Sequence, residues 1–361
     1  MEYRISRALK DTPRLSYASG ESEQRPELDC GEGINTALVC EAARSAFERL
    51  EFGLCTDYPH GTELKDAIVR RWGGCVEKSQ VILTEGSAGA LYLANRIFLE
   101  PGSAVLGGAS LFFEYGTDVR LHGARYDEVP LRADENWKFS ISRFLDAMSP
   151  EYRLIYLDNP HNPTGQVIPL QDVERIVSRA AELNCCVLVD EAYGGFMDDE
   201  NSAVTLMNRH DNVLTAQSFS KAYGLGGLRA GYLTLPASLQ GYAENLSNPY
   251  VVSSLSRRVA AAALRDAAFL PRLRQYPQSV KQKLFRPWKR LSLAETCGTS
   301  DICMITHSSP ETDLERLFAE RGVRVISCRG FAGANSVRLR VPAAGDADRL
   351  LAVMEQIDEA E

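Results

Sequence analysis

The sequence predicts an α/β fold: a large domain built on a mostly parallel sheet flanked by helices, followed by a smaller α+β C-terminal domain. Two patterns carry this expectation. Through the middle of the chain, short apolar runs alternate with stretches whose apolar residues recur at helical spacing, which is the signature of βαβ units and a parallel sheet. After about residue 250 a long Ala-rich stretch gives way to short strands mixed with helices. The expected division is residues 1–45 as an N-terminal segment packing on the small domain or on a partner, 46–248 as the large domain and 249–361 as the small one.

The elements follow in order. "SQVILTEG" reads as a strand closed by glycine and "AGALYLANRIFLE" as the helix after it; "SAVLGG" is a second strand. "YRLIYLDNP" is a strand ending in a Pro/Asn turn, and "LQDVERIVSRAAEL" has helical apolar spacing. "CCVLVDEAY" and "NVLTAQSF" are further strands, the first continuous enough in apolar residues to be buried on both faces. Beyond them, "SSLSRRVAAAALRDAAFLPRLRQ" reads as one long helix on its alanine content. "DICMITH" and "SVRLRVP" read as strands, "ETDLERLFAERG" and "ADRLLAVMEQIDEAE" as helices.

Composition excludes several classes. With 45% hydrophobic and 24% charged residues over 361 positions, the chain is ordinary globular material with enough apolar content for a large core. A formal net charge of -8 argues against a general nucleic-acid binder, which shows a clustered basic face. No apolar run approaches the ~18 residues that span a bilayer, and the opening "MEYRISRALKDTPRL" has no apolar secretory core. A cytoplasmic protein is expected, with its nine cysteines as free thiols. Only five histidines are present and no His/Cys spacing suits a metal.

P-loop, dinucleotide and nucleophile-elbow motifs are absent. What remains gathers at strand ends, where parallel sheets bind ligands. Asp190 ends "CCVLVD", with Tyr193 three residues on; Asn162 sits in the turn "DNPHNPTG". Ser87 and Ala88 open a helix whose N–H groups suit a phosphate. In "QSFSKAYGLGGLRAGY", Lys221 lies among the serines Ser218 and Ser220, with a glycine run and Arg229 after it. Each has an ordinary structural reading as a cap, a turn or a solvated charge. Together they offer what pyridoxal phosphate requires: a carboxylate for the ring nitrogen, a phenol and an amide for the ring oxygen, donors for the phosphate, and an amine for the aldehyde.

"DNPHNPTG", "VLVDEAY" and "SFSKAYGLGGLRAGY", in this order, resemble the fold-type-I pyridoxal-phosphate enzymes of the class I/II aminotransferase superfamily, in the histidinol-phosphate aminotransferase and threonine-phosphate decarboxylase-like branch. The resemblance spans about residues 50 to 345. It implies that Lys221 is the Schiff-base lysine and Asp190 the partner of the pyridine nitrogen. It implies that Tyr193 and Asn162 bond the ring oxygen, and that Ser87, Ala88, Ser218 and Arg229 hold the phosphate. Phe112 in "LFFEY" is similar to the aromatic that stacks on the ring, with Phe113 beside it as a competitor. Tyr58 in "DYPHG" resembles a tyrosine that crosses a homodimer interface to the partner's phosphate. Arg338 falls where the family keeps its substrate-carboxylate arginine. Arg340 is close enough to compete, because residues two apart on a strand share a face.

The chain departs from the branch where a substrate side chain would bind. "LDCGEGINTAL" retains only Glu32 of the usual N-terminal motif, and "TSDICMI" carries Asp301 where asparagine is common. The implied activity is an aminotransferase working on an α-amino acid or amino phosphate and a keto-acid acceptor. A decarboxylase, lyase, racemase or oxidase on the same scaffold is the alternative, and a cofactor-binding regulator a third reading.

Overall fold

A computed structural model of the protein describes residues 3–12 and 26–360. Within the expected N-terminal segment, residues 1–2 and 13–25 lie outside the described residues, as does Glu361 at the end of the last expected helix.

A seven-stranded sheet forms the centre. In spatial order its strands are Val81–Thr84, Gly231–Thr234, Val213–Ser218, Cys186–Glu191, Tyr152–Asp158, Ala104–Gly108 and Arg125–Val129. Gly231–Thr234 runs antiparallel to both neighbours, and the other pairings are parallel. The apolar runs are continuous because both faces are covered. Successive side chains alternate between two cores: Leu154, Tyr156 and Leu188 face one, Ile155, Leu157, Val187 and Val189 the other. Helix Leu170–Glu182 shows how a face is covered. It buries Val173, Ile176, Val177 and Ala180, one stripe at helical spacing, and Asn184 just past its end takes the left-handed conformation at φ 56°.

Two strands of this sheet escaped the sequence reading. Arg125–Val129 is an edge strand with exposed charged positions, so it carries no apolar signal. Gly231–Thr234 is buried throughout but hidden inside the motif that follows Lys221. The long Ala-rich helix is a correction. It is two helices, Ser254–Arg265 and Phe269–Leu284. Pro271 falls in the first turn of the second, where its missing N–H costs nothing, and this marks the new start.

A second, four-stranded antiparallel sheet lies C-terminal, in the order Ile326–Ser327, Ser336–Arg340, Ile302–His307 and Leu291–Leu293. Helices Leu314–Ala319 and Ala347–Glu359 close its core with Leu314, Phe318, Leu350, Met354 and Ile357. Val259, Ala260, Ala263, Phe269 and Leu273, all beyond residue 249, belong to the core of the large sheet. We therefore propose that the smaller unit begins inside helix Phe269–Leu284, later than the boundary expected from the sequence. The N-terminal segment joins the two. Leu28–Asp29 pairs in parallel with Val323–Arg324, and a few residues on Asn35 donates from its backbone N–H to the Lys221 carbonyl at 3.0 Å. Among the described residues no helix is long and apolar enough to cross a membrane.

The smaller unit touches the turn after strand Tyr152–Asp158 at Gly165. That residue has φ +73°, and a Cβ on it would stand 2.1 Å from the Ile302 carbonyl oxygen. Gly165→Ala therefore has no space and the wrong backbone, and should destabilise the protein by about 2 kcal/mol or more, read from urea unfolding midpoints.

Candidate active site

Parallel strands bring their carboxyl ends to one edge, and register decides which residues meet there. Asp158 and Asp190 are directly paired across neighbouring strands, and Ser218 ends the next strand. Helix Gly86–Phe98 begins at the same edge. Gly231 allows that approach, since a Cβ on it would come 2.4 Å from the Gly86 carbonyl carbon. The result is a cleft of ≈ 410 Å³.

Of the residues singled out from the sequence, Lys221, Asp190, Tyr193, Asn162, Ser87, Ala88, Phe112, Ser218, Arg229 and Glu32 all line this cleft. Phe113 does not line it; it packs on Gly330. Arg338 is buried just behind the cleft wall. It donates from Nη1 to Asn162 Oδ1 at 3.1 Å and from Nη2 to the Gly31 carbonyl at 2.7 Å. Arg340 turns elsewhere, donating to Thr36 Oγ1 at 2.6 Å and to the Asp29 carbonyl. Tyr58 is apart from the cleft of its own chain: it is 71% exposed and its ring rests 4.8 Å from that of Tyr250. Asp158 and Ser220 line the cleft and were not assigned to it from the sequence. Ser220 was legible as the second serine beside Phe219; Asp158 was masked by the Asn-Pro turn it precedes.

The site's polar groups are prepared for a partner. Asp190 accepts from the Ala192 N–H at 2.9 Å and the Tyr156 hydroxyl at 3.4 Å. Burial pushes its carboxyl up to about 7, against the Ala192 hydrogen bond and with help from the neighbouring Asp158 charge. The Tyr193 hydroxyl is buried with no hydrogen-bond partner among the described residues, and burial raises it to about 12. The amine of Lys221 stands 5.5 Å from the centre of the Tyr193 ring. Helix Gly86–Phe98 has no side-chain cap at its N-terminus, and Arg229 is fastened across that end by the Glu85 carbonyl at 3.2 Å. Pyridoxal phosphate fits this donor and acceptor set: a cationic ring nitrogen for Asp190, a ring oxygen for Tyr193, and a phosphate for the helix end.

The family described as aminotransferase class I and II matches residues 26–357, and the chain belongs to it: it is a pyridoxal-phosphate-dependent aminotransferase. Within that family it is similar to the histidinol-phosphate aminotransferase of Halorubrum lacusprofundi, 32% identical over 285 residues that cover 77% of this chain and 74% of the relative. "Histidinol-phosphate aminotransferase 2" of Haemophilus influenzae is 26% identical and covers 88% and 85% of the two chains. In fold it matches the histidinol-phosphate aminotransferase of Sinorhizobium meliloti in complex with pyridoxal-5'-phosphate, at TM-score 0.81 and 21% identity over 99% and 98% of the chains. The aspartate aminotransferase of Thermus thermophilus with maleate fits as well, at TM-score 0.82 and 20% identity over 99% and 100%.

Asp190 gives a stability prediction for the cofactor-free protein. Its carboxyl is free near 3.8 and stands at about 7 in the fold. The native state therefore keeps a proton that the unfolded chain releases, and the contribution is fully present below the lower value and lost as pH rises through the upper one. Asp190→Asn should raise the urea midpoint of the cofactor-free protein at pH 8, by about 1–3 kcal/mol in stability, and change little at pH 4. The same variant should hold the cofactor more weakly, as equilibrium dialysis would show.

Proposed function

We propose that the chain moves an amino group from a small amino donor, an α-amino acid or an amino phosphate like that named by its relatives, to a keto-acid acceptor. The observation that supports this most is the Arg338–Asn162 hydrogen bond, which puts an anion-binding guanidinium beside the side chain assigned to the ring oxygen. When bound, pyridoxal phosphate supplies an aldehyde for the donor's nitrogen and a ring that takes up the electrons released at the α-carbon. The Lys221 amine would hold the aldehyde at rest and, once free, would serve as the base for the proton at the substrate's α-carbon. Asp190 holds the ring nitrogen's proton. Tyr193 and Asn162 would donate to the ring oxygen, and Phe112 would cover the ring face. Ser87, Ala88, Ser218 and Arg229 would hold the phosphate, with Ser220 beside them in the cleft lining. Glu32 borders the substrate's path.

Arg338 pairs with the donor's acidic group bidentately, which suits a planar guanidinium. Mixing holoenzyme with a single amino donor should leave pyridoxamine phosphate and the corresponding carbonyl compound by mass spectrometry. Carbon dioxide instead would favour a decarboxylase. Arg338→Ala should raise KM for acidic-group-bearing donors by about two orders of magnitude and leave simple amines little affected. An effect from Arg340→Ala alone would shift the assignment by two residues.

The protein acts as a homodimer in this reading, with Tyr58 reaching the partner's phosphate site. Its exposure, together with exposed Phe47 and Phe52, supports such a surface. Sedimentation should give a dimer, and Tyr58→Phe should weaken cofactor binding without dissociating it; a fully active monomer would rule this out. The nine thiols, all unpaired, suit the reducing cytoplasm.

A further inference from the structure

Asp158 ends strand Tyr152–Asp158 and lines the cleft beside Asp190, its partner in register on the next strand. The proposed reaction gives it no task. Its Oδ2 accepts two hydrogen bonds, from the Asn162 backbone N–H at 2.9 Å and from the Ser110 hydroxyl at 2.8 Å. Ser110 Oγ in turn accepts from the Phe112 N–H at 3.2 Å. The other carboxylate oxygen, Oδ1, comes to 4.0 Å from His161 Nε2, which already donates to the Ala109 carbonyl at 2.8 Å.

The topology explains why one oxygen can reach both segments. Strands Ala104–Gly108 and Tyr152–Asp158 are parallel neighbours, so the chain leaves both at the same edge of the sheet. The two exits are braced to each other by the Leu111 N–H, which donates to the Asn162 carbonyl at 2.9 Å. Asp158 sits at this junction, and a single carboxylate oxygen has the lone pairs to accept from both sides. Asn162 is also held from its far end: its Oδ1 accepts from Arg338 at 3.1 Å, which leaves its NH2 group as the donor to the cleft that it lines.

We propose that Asp158 is a positioning residue for the cofactor ring: through the Asn162 N–H it sets the amide that meets the ring oxygen, and through Ser110 it sets the backbone of the aromatic that covers the ring face. This rests on the proposed placement of Asn162 and Phe112 around the ring. The two register-paired aspartates then divide the work. Asp190 meets the ring nitrogen directly, whereas Asp158 acts through its neighbours and fixes two sides of the ring from one point.

The test is calorimetric titration of the cofactor-free protein with pyridoxamine 5'-phosphate and with its analogue lacking the ring oxygen, neither of which bonds covalently to Lys221. The wild type should prefer the complete ring by about tenfold, the worth of one or two hydrogen bonds. Asp158→Ala should weaken both ligands and lose most of that preference. Asp158→Asn, whose amide oxygen can accept the same two bonds, should keep it to within about threefold. Ser110→Ala frees Phe112 and leaves the Asp158–Asn162 bond, so it should weaken both ligands by the same factor, about fivefold. Equal losses of both ligands in Asp158→Ala, a preference lost as fully in Asp158→Asn, or one lost in Ser110→Ala would overturn the proposal. If Asp158→Ala does not fold, Asp158→Ser, whose shorter side chain cannot reach both donors, takes its place. Asn162→Ala tests the placement by itself. An unchanged preference there would refute the placement and this inference with it; a preference lost there but kept in Asp158→Ala would refute the role of Asp158 alone. The readout is binding, so it holds whichever bond at the substrate's α-carbon is broken.

Discussion

The structure depends on how firmly the turn from Asn159 to Gln166 is held. Asn159 donates from its backbone to the Asp190 carbonyl at 2.8 Å, and its side chain bonds Ile168 in both directions. His161 bridges Thr164 and the Ala109 carbonyl at 2.8 Å each, and Asn162 N–H is fixed by Asp158 at 2.9 Å. With its own backbone satisfied this way, the turn presents the Asn162 side chain to the cleft and to Arg338 at once. The smaller sheet meets the larger through that contact and through Gly165. In the proposed reading, substrate recognition and cofactor positioning share this one piece of chain.

Electrostatics follow from this packing. The site buries Asp190 and Asp301, whose carboxyls burial raises, beside several cations that do not neutralise them by contact. Such imbalance is what a fold carries when its charges are arranged for a ligand rather than for stability. The ring nitrogen suits Asp190; Asp301 stays buried inside the protein.

Much of this was legible in the sequence because the chemistry sits in contiguous motifs. Lys221, Asp190 and Asn162 each follow a strand that could be read from its apolar run, so their convergence at one sheet edge followed from the parallel topology. What was hidden depended on partners far along the chain. Arg338 and Arg340 share a strand face, and only the Asn162 and Thr36 contacts separate them. Asp158 gained its meaning from register with Asp190. Asp301 stood out as a departure from the family pattern, but its isolation is a property of three-dimensional surroundings. The strand Arg125–Val129 was invisible because an edge needs no apolar alternation.

The central claim is that the cofactor is anchored on Lys221. Reduction of holoenzyme with borohydride, followed by digestion and mass spectrometry, should find the pyridoxyl group on the peptide containing Lys221. Attachment at another lysine, the buried Lys281 included, would contradict the account.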